Sequence, residues 1–400
     1  MASSASIADL RRQNRHLVLR AIAEHGAVSR TVIAETVRLT NAAVSRIVRE
    51  LVEARLLTEY PATGKRRQAG RPRVRLGFAD DGAFVLGMAI TLNQKEVVLA
   101  TCRGDVVARR DCSDVPLDRP EPALAALAQA AVELIAESGR DPTRILGGAA
   151  LIAGRVDPAT GGLRSGGPLG WRTVDAAGIL AGLTGVPFVA EGRAAALLQA
   201  EARQGCASGL RDVLLVNVGL RLGSALMLDG APVRGAANEA GQLAGFPSGG
   251  ATLDDTASGL AILHRLDSLG LTKSAGPAVD GRRLRDIAEP GRNLPADARN
   301  VIEICGAELG KGLRLLATVL KPQAVLLAGQ VGRHPDYVAG VRRIAADAVL
   351  PGRTFDTRVS ALTTAHSAVW LALDRHLFHE RFDLGRLAPE RAADAAPAAA

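Results

Sequence analysis

Apolar and polar positions follow a helical period near the start of the chain. One stripe with the spacing i, i+3, i+4, i+7 consists of Val44, Ile47, Val48 and Leu51. This spacing predicts a helix with one buried face. Thr40 precedes that helix, and Ser29 precedes a shorter helix predicted to end at Val37. Hydroxyl side chains at these positions accept hydrogen bonds from the free amides of a first helical turn.

The segments on either side of these two helices complete a small domain. A further helix is predicted over residues 7–24, with an inward face formed by Leu10, Leu17, Ala21 and Ile22. Apolar and polar residues alternate over 56–60 and 73–76, on both sides of a basic turn, which predicts a hairpin. Three helices followed by a hairpin form the pattern of a winged helix-turn-helix, here assigned to residues 1–78.

The face of the third helix opposite its apolar stripe carries small, polar and basic residues. Side chains near the start of such a helix reach base edges in a major groove, and arginines bind phosphates. The predicted DNA-contacting residues are Ser29, Arg30, Thr40, Asn41, Ala42, Ser45, Arg46 and Arg49, joined by Lys65, Arg66, Arg67 and Arg71 of the hairpin. The alternative is a helical hairpin with a solvated basic face. The agreement of caps, stripe and wing favours double-stranded DNA as partner.

Beyond residue 83 short buried strands alternate with helices. Strands are predicted over 84–91, 97–101, 106–111, 145–153 and 187–190, and helices over 122–138, 174–184 and 194–203. The order then restarts, with strands over 212–218, 222–228, 232–234, 324–327 and 358–362, and helices over 256–269, 296–320, 337–349 and 365–378. This repeated order predicts two similar α/β lobes with a cleft between them.

Positive charge is concentrated in the first fifth of the chain. Residues 1–77 contain 15 Lys and Arg but 6 Asp and Glu, a net charge of +9, whereas all 400 residues carry +8. The remainder is therefore close to neutral. This distribution is typical of a polyanion-binding module attached to a neutral body.

Other features of the composition concern the compartment. The four cysteines have no metal-ligand spacing, and the first residues contain no apolar run of signal-peptide length. Since no segment is apolar enough to cross a bilayer either, we expect a cytoplasmic protein. The Ala/Pro-rich residues 388–400 are expected to form a disordered tail.

The chain from about residue 9 to 376 resembles the ROK family of repressors, open reading frames and sugar kinases. The resemblance is carried by Thr40 to Arg49, Gly70-Arg71-Pro72, Gly161-Gly162, Gly219, Gly223, Asp229-Gly230, Leu309-Gly310 and Val325 to Gly329. It implies an α/β fold in which a winged helix-turn-helix precedes a two-lobed, actin-like ATPase (ribonuclease H-like) fold. The lobes would comprise residues 83–204 and 205–364, with 365–378 packing back on the first lobe.

Residues that serve phosphate transfer in the family are replaced here. Kinases of the family carry an aspartate and glycines where this sequence has Ala89 to Asn93, and an aspartate as catalytic base where it has Arg193. Because a guanidinium does not accept a proton, the resemblance implies a body without catalysis. The histidine and cysteines of the family's zinc site are also missing between Phe246 and Gly259. We therefore expect no catalytic residue, metal or cofactor.

The most direct interpretation is a DNA-binding transcriptional regulator, a repressor, whose body mediates dimer or tetramer formation and senses a sugar or sugar phosphate. The candidate effector-binding residues are Glu191, Arg193, Glu239 and Gln242. Arg193 either binds an anionic effector or pairs with Glu191 or Glu239 and closes the cleft. The alternative function is an active sugar kinase with an accessory DNA-binding head, with Glu191 or Asp157 as replacement base.

Overall fold

A computed structural model describes residues 7–61, 74–157, 160–165, 167–235, 240–273, 277–289, 291–346 and 356–387. Four predicted DNA-contacting residues, Lys65, Arg66, Arg67 and Arg71, lie outside the described residues, and so does the tail 388–400.

The first part of the chain forms a three-helix head with a two-stranded sheet. Its elements are α1 Ile7–His25, α2 Arg30–Val37, α3 Asn41–Glu53, β1 Leu57–Tyr60 and β2 Arg75–Phe78. Ser29 Oγ accepts from the Val32 amide at 3.4 Å, and Thr40 Oγ1 accepts from the Ala43 amide at 3.2 Å. Both predicted caps are confirmed, and the predicted apolar stripe of α3 is buried.

The predicted inward face of α1 was wrong at two positions. Leu10 is 53% exposed and Leu17 is 37% exposed. The predicted positions Ala21 and Ile22 are buried, and the helix buries Val18 and Leu19 in place of the other two. These four buried residues pack into a core that includes parts of the body as well as the head.

The first lobe of the body contains a five-stranded sheet and a small three-stranded one. Its elements are β3 Phe84–Ile90, β4 Lys95–Thr101, β5 Val106–Asp111, α4 Pro120–Glu137, β6 Ile145–Ile152, β7 Arg155–Val156, β8 Gly162–Ser165, β9 Val174–Asp175, α5 Ala176–Thr184, β10 Phe188–Gly192 and α6 Arg193–Gln204. The large sheet has the order β10-β6-β3-β4-β5, antiparallel in its β3–β4–β5 part and parallel in the rest.

The second lobe repeats this arrangement. Its elements are β11 Val213–Val218, β12 Leu222–Leu228, β13 Ala231–Val233, β14 Pro247–Ser248, β15 Ala251–Thr252, α7 Leu253–Ala257, α8 Gly259–Ser268, α9 Pro277–Ile287, α10 Ala296–Leu320, β16 Ala324–Ala328, α11 Gly329–Gly332, α12 Pro335–Ala346 and β17 Asp356–Val359, followed by α13 Thr364–His376. Its sheet has the order β13-β12-β11-β16-β17 with the same mixture of pairings. The predicted pair of similar α/β lobes is confirmed.

The structure differs from the predicted helices in three places. The single helix expected over 256–269 is two helices, because Ser258 is extended and its hydroxyl caps α8 by accepting from the Ala261 amide at 3.2 Å. The helix α9 was not predicted. The helix expected from Val174 begins at Ala176, since Asp175 ends a short strand and caps α5 through the Gly178 amide.

The head and the first lobe share one hydrophobic core, in which α13 is the common element. This helix packs against β3, β6 and α6. The ring of Phe378, just beyond α13, meets that of Phe78 in the head edge to face, with centroids 6.0 Å apart. Arg144 of the first lobe also donates to the Ala54 carbonyl at the end of α3, at 2.8 Å. The head is therefore docked on the body by packing and hydrogen bonds.

Gly87 on β3 allows α13 to lie close to the sheet. A Cβ at this position would stand 3.0 Å from the Ala365 carbonyl oxygen, the Val369 amide nitrogen and a Val369 methyl. Two of these three atoms belong to the backbone, so that a side chain here would push the helix away.

We predict that Gly87→Val lowers the free energy of unfolding by about 2 kcal/mol, as overpacking a close contact does. The measurement is urea unfolding followed by circular dichroism. Gly182→Ala is the control, because a Cβ there meets nothing within 4 Å inside α5. The control variant is expected to keep or slightly raise stability, since alanine favours helix. Equal stability of Gly87→Val and the unchanged protein would contradict the close approach.

Candidate nucleic-acid interface and central cleft

The exposed face of α3 carries most of the predicted DNA contacts that the structure describes. Asn41, Ala42, Arg46 and Arg49 are exposed, whereas Ser45 is half-buried. The fold thus brings small and polar groups at the start of α3 to the same surface as two arginines. Polar side chains and arginines on one exposed helix face are the groups that read base edges and phosphates in a major groove.

The arginines of the head differ in their partners. Among the described residues, no carboxylate lies within 4.0 Å of Arg46 or Arg49. Arg30, by contrast, pairs with Glu59 of β1 at 2.6 Å. Arg11 and Arg15 of α1 both pair with Glu50, a residue of α3, at 3.1 and 3.3 Å.

A cleft between the two lobes forms a cavity of about 420 Å³. Of the predicted effector-binding residues, Glu191, Arg193 and Gln242 line it, and Glu239 lies outside the described residues. Glu191 stands near the end of β10, Arg193 is the first residue of α6, and Gln242 lies in the loop after β13. The turn Thr91 to Asn93 lines the same cavity.

Glu191 is engaged by a residue that the sequence did not single out. Its carboxylate is 3.4 Å from both terminal nitrogens of Arg234 and accepts from the Gly192 amide at 3.0 Å. The side chain is 2% exposed. Because Arg234 is 43 residues away in sequence, the spacing of the two residues does not predict this pair.

Arg193 contacts an amide oxygen and not the carboxylate of Glu191, and the other predicted partner, Glu239, lies outside the described residues. The Asn217 amide oxygen, which must face the donors, accepts from Nη2 at 2.6 Å and from Nε at 3.3 Å. Nη2 also lies 3.2 Å from where a Cβ of Gly219 would stand, so that the absent side chain leaves it room. Burial lowers the pKa of Arg193 to about 10. The interpretation in which Arg193 pairs with Glu191 and closes the cleft is therefore wrong, whereas its pairing with Glu239 stays a prediction.

A second charged pair closes another side of the cleft. Arg221 Nη1 is 2.5 Å from Asp254 Oδ2, and the other oxygen of Asp254 accepts from the Leu222 amide at 2.7 Å. Both cleft carboxylates of the described residues, Glu191 and Asp254, are thus held by an arginine and a backbone amide.

The turn from Thr91 to Asn93 connects the two lobes through hydrogen bonds. Asn93 Nδ2 donates to Gln330 Oε1 of the second lobe at 2.8 Å, and Arg285 donates to the Asn93 carbonyl. Thr91 Oγ1 donates within its own turn, to the side-chain oxygen of Asn93 at 2.9 Å. These polar groups are occupied by protein partners.

Trp171 has a packing role. It is buried in the first-lobe core, and its indole nitrogen donates to the Leu117 carbonyl at 2.7 Å.

Within the described residues, no three His, Cys, Asp or Glu side chains are grouped so as to hold a metal ion. None of the described helices is both long and apolar enough to cross a membrane.

Comparison with known proteins gives two family matches and several relatives. The ROK family model matches residues 89–368, and a MarR family model matches residues 8–68. The transcriptional regulator Rv0485 of Mycobacterium tuberculosis H37Rv is 28% identical over 330 residues, 78% of this chain and 73% of that protein. The DNA-binding transcriptional repressor Mlc of Escherichia coli K12 is 24% identical over 354 residues, 83% of this chain and 84% of Mlc.

Among solved structures, a ROK family transcriptional regulator described as a homologue of E. coli MLC has a TM-score of 0.73. It covers 95% of this chain and 99% of its own, at 19% identity, a level at which the likeness shows the fold. The predicted fold class, a winged helix-turn-helix followed by a two-lobed body, is confirmed. Since the ROK family model covers well over half of the 400 residues, the chain belongs to the ROK family.

Proposed function

We propose that this chain is a DNA-binding transcriptional regulator, a repressor, whose two-lobed body no longer transfers phosphate. The observation that carries the proposal is the exposed face of α3, where Arg46 and Arg49 have no carboxylate within 4.0 Å among the described residues. Arginines without a carboxylate partner can bind a DNA phosphate or the edge of a guanine through two hydrogen bonds. The names of the relatives, a transcriptional regulator and a DNA-binding repressor, support the same function.

The proposed contacts follow from where each group stands on the head. The start of α3, with Asn41, Ala42 and Ser45, reads base edges, and Arg46 reaches a base from the next turn. Arg49, one turn further, binds phosphate. Ser29, Arg30 and Thr40 contact the backbone near the helix starts, where free amides add favourable charge. The basic wing residues Lys65, Arg66, Arg67 and Arg71 enter the adjacent minor groove.

Loss of catalysis is proposed from the chemistry of the cleft. The position of the family's base is Arg193, which holds no lone pair for a proton. The turn from Thr91 to Asn93 has no carboxylate for a metal–phosphate site. A replacement base is not at hand either, because Glu191 is occupied by Arg234 and the Gly192 amide.

The alternative, an active kinase with an accessory head, finds less support. It needs a free carboxylate in the cleft. Asp157, the other candidate base, pairs with Arg164 at 2.7 Å and is not among the described residues that line the cavity.

In the proposed mechanism the body sets the spacing of two DNA-binding heads. We propose residues 1–78 as the head, with the first lobe at 83–204 and the second at 205–364. A symmetric dimer presents two α3 helices to a near-palindromic operator, with half-sites about one helical turn apart or a multiple of it. A ligand in the cleft changes that spacing if it binds one arrangement of the lobes more tightly.

We predict that Arg46→Ala weakens binding to the specific site about 10- to 100-fold, because a bidentate base contact is lost. The unchanged protein first selects its site from a pool of randomised duplexes. Fluorescence anisotropy then gives the affinity of each variant for that site and for a scrambled duplex at one salt concentration.

Arg282→Ala provides the matched control, because Arg282 is an exposed arginine on α9, far along the chain from the head. This variant is expected to bind both duplexes as the unchanged protein does. Equal losses of Arg46→Ala on both duplexes would reduce Arg46 to a phosphate contact. Failure of the unchanged protein to select any site would refute the proposed function.

We also predict no phosphorylation of glucose, xylose or N-acetylglucosamine with magnesium ATP. Absence of a general base alone costs about 10²–10⁴ in rate. The measurement is formation of sugar phosphate by mass spectrometry at high protein concentration. Turnover that disappears in Glu191→Gln would establish Glu191 as a replacement base and restore the kinase alternative.

A further inference from the structure

We propose that the cleft recognises a small organic anion, through a phosphate or carboxylate group bound by Arg193, and not a neutral sugar. This inference rests on the proposed function, since it names the class of effector that such a regulator would sense. Arg193 differs from the other arginines of the cleft whose contacts are described, Arg221 and Arg234. Each of those two meets a carboxylate, at 2.5 and 3.4 Å.

Arg193 has no such partner. Among the described residues, no carboxylate oxygen lies within 4.0 Å of its guanidinium. The guanidinium donates to the amide oxygen of Asn217 and lies beside Gly219, which has no side chain. A cation taken out of water without a counter-charge costs free energy. Binding an anion in the cleft offsets that cost, whereas binding a neutral molecule leaves it in place.

The hydrogen-bonding capacity of Arg193 points the same way. Asn217 accepts from Nη2 and Nε. A guanidinium carries five N–H groups, so that donors remain which no described protein group accepts, including both on Nη1. Two donors arranged as a planar fork bind a carboxylate or a phosphate through two parallel hydrogen bonds.

The start of α6 adds a second source of positive potential. Arg193 is the first residue of this 12-residue helix, and its N-cap, Gly192, has no side chain to satisfy the first-turn amides. Ala194 and Ala195 of that turn line the cleft. Free amides and the helix dipole favour an anion at this end, and the guanidinium stands at the same place.

Groups that would recognise the hydroxyls of a neutral sugar are largely occupied. Ser224 Oγ donates to the Gly241 carbonyl at 2.5 Å and accepts from the Leu243 amide at 2.8 Å. Glu191 and Thr91 are held by protein partners in the same way. Gln242 remains exposed at the cleft and suits one or two hydroxyls or a carbonyl of the ligand.

The cavity has room for more than an inorganic ion. At about 420 Å³ it lies within the range of small-molecule sites and accommodates a sugar phosphate or a sugar acid. Phosphate and carboxylate ligands share the recognition chemistry of Arg193, so the experiment must separate them.

The test is isothermal titration of the full chain with glucose, glucose 6-phosphate, gluconate and inorganic phosphate, together with the unfolding temperature in each ligand. We expect binding, and a higher unfolding temperature, with glucose 6-phosphate, gluconate or both, and neither effect with glucose. Inorganic phosphate reports anion binding without the carbon skeleton. In Arg193→Gln the responding anion should bind about tenfold more weakly or worse. Arg282→Gln controls for unspecific charge effects and should bind as the unchanged protein does.

A structural role of Arg193 makes a different prediction. If the guanidinium only supports packing, then Arg193→Gln lowers the unfolding temperature without ligand, and anions act equally on both proteins. If it is a binding group, the ligand-free variant keeps or gains stability, because glutamine still donates to Asn217 without an uncompensated charge.

Three outcomes would overturn the inference: tighter binding of glucose than of every anion, no response to any of the anions, or equal anion binding by Arg193→Gln. Site selection by the unchanged protein, measured separately, decides the proposed function. A protein that selects DNA but ignores anions retains the function and loses the inference.

Discussion

The close packing of α13 on the first sheet is the constraint on which the arrangement of the molecule depends. This is the last α-helix of the described residues, yet it contacts β3, β6 and α6, and Phe378 just beyond its end contacts the head. The missing side chain of Gly87 permits the approach, since backbone atoms of the helix stand 3.0 Å from the Cβ position. Head and body therefore share one core, and contacts with the first lobe orient the head that carries α3.

Local signals in the sequence were sufficient for the helix caps and the α3 stripe of the head and for the two five-stranded sheets. Each cap, at Ser29 and at Thr40, involves residues within one helical turn, and the stripe of α3 spans two turns. The residues that form each pattern and the contacts that stabilise it therefore lie in the same segment. The central strands, such as β6 and β16, are buried along their whole length and are accordingly continuous apolar runs.

Features that depend on tertiary contacts could not be predicted from the sequence. Leu10 and Leu17 satisfied the helical period, but α1 presents the neighbouring face to a core that includes the body, and nothing in that segment records where the body lies. The partner of Arg193 depends on how β11 and α6 meet, and sequence favoured a nearby carboxylate over Asn217. Similarly, Arg234 reaches Glu191 across 43 residues. The sequence thus predicted that Glu191, Arg193 and Gln242 line the cleft, but not which partners Glu191 and Arg193 have there.

The contacts of α6 connect the cleft to the head. The helix begins at Arg193, and about 15 Å further along its axis Arg203 pairs with Asp374 of α13. Asp374 also accepts from Arg20 of α1 at 3.1 Å. Effector–operator coupling typically amounts to about 1–3 kcal/mol, whereas an ion pair at partly exposed positions contributes about 1 kcal/mol or less. The two ion pairs of Asp374 therefore account for no more than the lower part of that range. A displacement of α6 would have to reach the head mainly through the apolar contacts of α13, which resist deformation because they are densely packed.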